Sequence, residues 1–538
     1  MSDRRLKFFG WGYEGDEVAA GELRWFERTW ASVLGGDGFS VTPAPRLADI
    51  ELRQPRIAPP ASLTAICSSE KYDRAAHTYG KSVVDLARGL ARDYANPPDV
   101  VAYPRSEQDI VALLDWAGGN RIAVTPYGGG SSVVGGVEPT ADDRYRGALT
   151  IDLRQLGKVL DIDTVSETAR VEAGVYGPAL ERQLKPSGLA MRFFLQAFEF
   201  SSLGGWIATH AAGHYATVNT QIDDHIESLR VVTPNGLLES RRLPAVGAGP
   251  DPNRLFLGSE GTLGIVTQAW IRLRKQPRFR ASTTVRVADF FKGADMVRAI
   301  SQAGLYPANC RLIEAEEAAF TEAGDGTHAI VILGFESADH PVDGWMRRAL
   351  EICADHGGQW DAAPAKSDAA RDAAAASWRD KFIRAPYLRE HAVARCVMRD
   401  TFESAITWDR FESFYANVKR DALAAINEIT GRPGSVTCRF THVYPDGPAP
   451  YFTYHALGEP GRLVQQFRDM KAACAGALVR HGGTVTHHHA VGRDHMAGYD
   501  IERPPPFAAA LSATKRAFDP AGILNPGILL PPQPAATA

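Results

Sequence analysis

The sequence predicts an α+β protein built from two or three packed units, and three observations carry that expectation. The chain has 538 residues, more than the roughly 100–200 of one domain. Runs of β-branched residues bounded by turn signals dominate its first half, whereas strands alternate with long helical periodicities in its second. Three glycine-rich loops adjoin strand-like runs. Composition sets the outer limits: 45% apolar and 23% charged residues are ordinary for a globular protein. A net charge of −4 offers no basic footprint for nucleic acid. Six scattered cysteines without a C-x-x-C pair indicate neither a disulfide framework nor a zinc knuckle, and a cytoplasmic setting fits. The start MSDRRLKFFGWGYEGDE lacks a secretory apolar core, and no window approaches the roughly 18 apolar residues of a membrane span. Peripheral membrane contact through an amphipathic surface stays open.

Residues 1–92 mix short aromatic and proline-rich pieces with one helical stretch around YGKSVVDLARGLARDY, and are expected to form an N-terminal extension. From residue 93, apolar positions Ile110, Leu113, Leu114 and Trp116 at helical spacing lead into the strand IAVTP and then glycines. GALTIDL, VLDIDTVSETARVEAG, LRVVTPNGLLES and LGIVTQAWIRL complete an α+β domain over 93–275. Residues 276–510 repeat strand, helix and strand, the order of a ferredoxin-like sheet backed by helices. Within them, the alanine-rich DAAPAKSDAARDAAAASWRDKF has few large apolar anchors and is expected to be a mobile flap. Residues 511–538 close the chain, with a disordered tail expected at PPQPAATA.

PYGGGSSVVGG, from Pro126 to Gly136, follows a strand. Glycines tolerate φ > 0 and let successive amides converge on an anion such as a diphosphate. Taken alone the stretch reads equally as a tight surface turn. EFSSLGGWIATHAAG and FLGSEGTLGIVT supply two more such loops, and one long ligand touching all three accounts for them together. The first loop lacks the following helix and spaced acidic residue of a dinucleotide G-x-G-x-x-G, and HTYGKS lacks the upstream glycine of a P-loop, which disfavours NAD and ATP.

In order and spacing these loops resemble the FAD-binding domain of the vanillyl-alcohol oxidase (PCMH) type flavoproteins. FFGWGYEGD, PANCRLIEAEE, APYLREH, TFESAITWDR, the tyrosine of PAPYFTYHA and HHHAVG resemble, within that superfamily, the alkyldihydroxyacetonephosphate (alkylglycerone-phosphate) synthase family, over nearly the whole chain. The resemblance implies a two-subdomain FAD-binding domain and a ferredoxin-like α+β cap, with residues 511–538 returning to the FAD domain. It implies FAD bound by Pro126, Tyr127, Gly128, Gly129, Gly130, Ser131, Ser132, Gln196, Glu199, Phe200, Ser201, Ser202, Gly205, Ala208, Thr209, Ala212, Gly213, Glu260, Gly261, Gly264 and Ile265. Tyr127 stands where some relatives carry a linking histidine, so the FAD is expected to be noncovalent.

The family's reaction exchanges the fatty acid of acyl-dihydroxyacetone phosphate for a long-chain fatty alcohol. This makes the ether bond of ether lipids through an adduct at flavin N5, without net redox. Tyr451 matches its proton-transfer tyrosine, Arg389 its substrate-binding arginine and Arg311 one required for activity. A free tyrosine, pKa about 10, needs neighbouring positive charge or hydrogen bonds to act as a base near neutrality. His487, His488 and His489 are candidates to provide these and to protonate the leaving carboxylate. GGTVTHHHAVG reads as a strand entering a loop, which puts His487 and His489 on one face and His488 on the other. By residue type alone the cluster stays open between a zinc site with Asp494 or His495, an acid/base cluster and a surface loop. The resemblance implies the acid/base cluster, with no metal. Thr453 and His455 interrupt the family's aromatic run beside Tyr451. The other reading is an FAD-dependent oxidoreductase of a D-2-hydroxy acid or alcohol, whose relatives carry a GEHG-like sequence with a glutamate where this chain has HHHA. Family habit also implies a homodimer in reversible contact with membrane.

Overall fold

The computed structural model describes residues 5–35, 39–321, 323–361 and 384–531. The expected alanine-rich flap lies, but for Asp361, outside the described residues, as does all but Pro531 of the expected disordered tail.

Three large sheets organise the described residues, beside a two-stranded one pairing Leu189–Ala190 with Arg274–Lys275. The first has four strands, with Val100–Ala102, Gly147–Asp152 and Ile122–Tyr127 parallel and a short antiparallel edge at Cys67–Ser68. These parallel strands are buried on both faces, which is why IAVTPY and GALTID read as continuous apolar runs without alternation. The helix Glu107–Asn120 covers one face with Ile110, Leu113, Leu114 and Ala117. It starts at Ser106, whose hydroxyl accepts from the Asp109 amide at 3.2 Å. The second sheet is antiparallel and five-stranded, with Ile265–Arg272 at its centre between Thr168–Glu172 and Ile226–Thr233. The chain end returns to the first sheet: the Val124 amide donates to Ile523 O at 2.8 Å, and the Asn525 amide to Val124 O at 2.7 Å.

The third sheet has six antiparallel strands, in the order Phe279–Val287, Ala329–Ser337, Asn309–Ile313, Ser435–Val443, Pro448–Leu457 and Val397–Glu403. It repeats a strand-helix-strand-strand-helix unit twice, the helices being Phe290–Gln302 and Asp343–Asp355, then Trp408–Thr430 and Leu463–Arg480. The helix Trp408–Thr430 buries Phe411, Phe414, Tyr415, Val418, Ala422, Ala425 and Ile426, a stripe at three- and four-residue spacing. It stops at Gly431, φ +67°. Against that stripe stand Cys438, Phe440 and Phe452, alternate residues of the two strands beneath it. The N-terminal segment clamps this layer: Phe26 and Trp30 pack with Leu388, Ala392 and Val397. The six cysteines are all free. Among the described residues, no helix is long and apolar enough to cross a membrane.

Candidate functional site

Strand alternation gives the third sheet one apolar and one polar face. Phe452 and Tyr454 turn toward the helices, so Tyr451, Thr453 and His455 turn the other way. Directly opposite them on Val397–Glu403 stand Glu403, Thr401 and Arg399, and opposite Tyr451 on the other side stands Arg439. A bulge between Phe440 and His442 shifts the register so that His442 opposes Ala449 and joins this polar face. Arg311 comes from Asn309–Ile313, its guanidinium donating to His214 O at 3.2 Å.

The polar face looks across a cavity of about 190 Å³ onto the glycine loops. Gly128 to Val133 form one wall, and Ser201, Ser202, Gly205, Thr209 and Ala211 to His214 another. The glycines are required for close approach. A Cβ at Gly129 would lie 1.7 Å from Phe200 O, and one at Gly128 2.2 Å from Ser202 Oγ. Gly130 is held at φ +67°. Among the described residues, no protein acceptor takes the Gly129, Gly130 or Ser131 amide. The result is a cradle of free donors with two hydroxyls beside it, the donor set a diphosphate needs, and the residues present fit FAD.

Residues 486–489 are a loop and not a strand. Glu403 organises it: the carboxylate accepts the amides of His487 (2.6 Å), His488 (3.0 Å) and His489 (3.0 Å), and the Thr486 hydroxyl (2.7 Å). Three consecutive amides converging on one anion override the alternation of an extended strand. This corrects the expected pairing, because it is His488 and His489 that line the cavity while His487 turns aside, its Nε2 2.8 Å from Tyr444 Oη. Its Nδ1 lies 3.0 Å from His488 Nδ1. Glu260, fully buried, accepts the Val491 and Gly492 amides and anchors the loop's far end.

Tyr451 is 3% exposed. Its hydroxyl donates to Thr401 Oγ1 at 2.9 Å and lies 3.5 Å from His489 Nε2, while the Arg439 guanidinium stands 4.1 Å from the ring centroid. Glu317 pairs with Arg439. Burial opposes charge on Arg439, but the Glu317 carboxylate outweighs it and raises the pKa. Burial and then Arg439 push Arg311 down to about 9. Burial lowers all three histidines of the loop, His487 to about 4 with help from His488. Burial works against ionising Glu403, yet the facing imidazoles and the loop amides hold it well below the usual carboxylate range.

The nitrogens of His442, His487 and His488 lie within 4.8 Å of one another, close enough to share a metal. Two of those rings are already engaged, His442 Nε2 with Gly213 O at 2.9 Å and His487 Nε2 with Tyr444.

Of the residues expected from sequence, the cavity brings together Gly128 to Ser132, Gln196, Ser201, Ser202, Gly205, Thr209, Ala212, Gly213, Arg311, Arg389, Tyr451, His488 and His489. Others stand behind it. Pro126 packs beneath Gly261, which has φ +72°. Tyr127 backs the cradle: a Cβ on Gly130 would lie 1.8 Å from its hydroxyl, which donates to Ala76 O at 3.3 Å. Glu199 accepts from Tyr387 Oη at 2.8 Å, and the Phe200 ring packs on Trp11. Ala208 O receives the Glu260 amide, a Cβ on Gly264 would strike Val231, and Ile265 is strand core. Trp11, His214, Glu317, Arg439, His442 and Glu403 were missed. For Arg439 the polar alternation of CRFTHV was the available signal; Glu403 gave none, being 84 residues from the amides it binds.

Residues 98–240 match the family described as FAD binding domain, and residues 276–529 the family of FAD linked oxidases, C-terminal domain. The alkyldihydroxyacetonephosphate synthase of Dictyostelium discoideum is 28% identical over 489 residues, 86% of this chain and 78% of its own. That of Trypanosoma brucei brucei is 28% identical over 529 residues, 92% of this chain and 85% of its own. A solved alkyldihydroxyacetonephosphate synthase superposes with a TM-score of 0.79 at 24% identity over 97% of both chains, which shows the shared fold. The chain thus joins an FAD binding domain to the C-terminal domain of FAD linked oxidases, and over most of its length it is similar to the alkyldihydroxyacetonephosphate synthases.

Proposed function

We propose that this enzyme replaces the fatty acyl group of acyl-dihydroxyacetone phosphate with a long-chain alcohol, forming the ether alkyl-dihydroxyacetone phosphate without net redox change. The observation that carries the reading is the meeting, in one cavity, of the glycine cradle with Tyr451, His488, His489, Arg311 and Arg389. The cradle from Gly128 to Ser132 would hold reduced FAD, which would supply a nucleophilic ring nitrogen.

Tyr451 takes the proton from the substrate carbon, with Arg439 placing positive charge against the ring that must give up its own. His489, neutral through burial, faces Tyr451 with Nε2 and Glu403 with Nδ1, the latter at 3.5 Å. That polarity makes His489 the acceptor of the phenolic proton and Glu403 the group that fixes its tautomer. His488, stacked on the Tyr451 ring at 5.8 Å and kept neutral by burial, is placed to donate a hydrogen bond to the departing carboxylate. Arg389 holds the anionic end of the substrate, and Arg311 adds positive charge to the same cavity. Trp11, Phe194, Leu195 and Trp206 give the cavity apolar walls for the chains.

Substrates drawn from a bilayer carry with them reversible membrane contact, and the exposure of Ile501 (73%) and Phe507 (52%) supports a contact patch there. We include a homodimer in the reading.

Glu403 gives this site a carboxylate beside the histidines, so the missing glutamate of the loop does not by itself separate transfer from hydroxy-acid oxidation. Incubation of the holoenzyme with acyl-dihydroxyacetone phosphate and hexadecanol separates them. Ether product is expected; dye reduction by D-2-hydroxy acids with no ether overturns the proposal.

A further inference from the structure

A small recess of about 30 Å³ shares Gln196, Arg389, Arg439 and Tyr451 with the main cavity and adds Arg399 and Thr401. Arg399 reaches it because strand alternation puts it on the face of Thr401 and Glu403. The recess gathers three guanidiniums that each keep an unpartnered buried nitrogen. The buried Nη1 of Arg389 and the buried Nε atoms of Arg399 and Arg439 have no hydrogen-bond partner. Among the described residues only Arg439 of the three has a carboxylate, Glu317, within ion-pair distance. The one carboxylate in the lining, Asp400, is already paired with Lys471 Nζ at 3.1 Å. His455, buried behind Arg399, is held neutral. Buried donors and cations left without partners are costly, and a bound anion removes that cost.

We propose that this recess is an anion subsite of the active centre in which Arg399, together with Arg389 and Arg439, takes the phosphate of a phosphate-ester substrate. Planar guanidinium groups converging from a helix and two strands suit the several oxygens of a phosphate dianion better than the two of a carboxylate. Arg399 keeps its proton at neutral pH, burial and then Arg439 lowering it only to about 10. Naming the ester as acyl-dihydroxyacetone phosphate rests on the transfer reaction proposed above; the recess and its anion do not.

The test is calorimetric titration of the FAD-loaded full chain with inorganic phosphate, with acetate and D-lactate as competitors, in wild type, Arg399→Met and Arg399→Lys. Removing one charged donor costs about 1.5–3 kcal/mol, so Arg399→Met raises the Kd for phosphate about tenfold to a hundredfold. Arg399→Lys recovers part of the loss. KM for the phosphorylated substrate rises in parallel while kcat changes little. If Arg399→Met loses its FAD or its fold, Arg399→Lys is read in its place, with a several-fold weakening expected. Phosphate binding that is indifferent to Arg399, or a site that prefers acetate or D-lactate, overturns the proposal. Ether formation with Arg399-independent phosphate binding sinks the recess alone. Arg399-dependent phosphate binding without ether formation sinks the transfer reaction and leaves the recess standing.

Discussion

At the scale of single residues, proton transfer depends on Tyr451 and the aim of the histidine loop on Glu403. Tyr451→Phe keeps the ring between Arg439 and His488 and removes only the hydroxyl. Its expected result is an enzyme with an unchanged flavin spectrum and turnover lowered about a hundredfold to ten-thousandfold. Full activity removes Tyr451 from the proton path. Glu403 acts at one remove, by gathering the amides that aim His488 and His489. Glu403→Gln keeps the shape but loses the charge, and exposes a buried loop to unpaired donors. A fall in stability of about 2–3 kcal/mol in urea unfolding is expected, together with a loss of turnover. An unchanged midpoint contradicts the anchoring role.

At the scale of elements, the site is the product of two backbone devices, the glycine cradle and the polar alternation of the cap strands. Gly129→Ala drives a methyl into Phe200 O. The purified variant is expected to be colourless, and a variant that keeps its FAD contradicts the close approach of the two loops. The glycine loops were legible in sequence because a strand followed by consecutive glycines has few physical uses, and three such loops have fewer. Tyr451 was legible through resemblance, and its neighbours through alternation: once Phe452 faces the helices, Tyr451 and Thr453 must face away. The histidine loop was misread because THHHAV has the composition of a strand end, whereas its path is set by Glu403, 84 residues earlier. Tyr127 and Ile265 stand behind the cavity wall for a simpler reason, since a loop motif does not reveal which side of the adjoining strand faces the cavity. No local pattern encodes the bulge that turns His442 into the site.

At the scale of the whole molecule, the fold buries ionisable rings well away from solvent, and this shows in the acid response. His487 drops from an ordinary 6.5 to about 4 in the fold through burial, and His225 does likewise through burial and then Arg274. The unfolded chain takes up these protons below pH 6.5 while the native one resists, so their contribution is complete above 6.5 and is lost as pH falls toward 4. Unfolding midpoints measured from pH 7 to pH 4 are expected to decline through that window, by a few kcal/mol in all, and a flat profile contradicts the burial of these rings. Membrane contact belongs to the same scale. Replacing Ile501 and Phe507 with serine is expected to reduce co-flotation with anionic liposomes several-fold while leaving the flavin spectrum intact, and unchanged flotation removes the patch.

The most direct measurement follows oxygen. When the holoenzyme is given acyl-dihydroxyacetone phosphate and ¹⁸O-labelled hexadecanol, the label is expected in the ether oxygen of the product, with an unlabelled fatty acid released in equal amount and Tyr451→Phe yielding neither. Ether without the label, or label appearing in the released acid, contradicts the exchange of carboxylate for alkoxide.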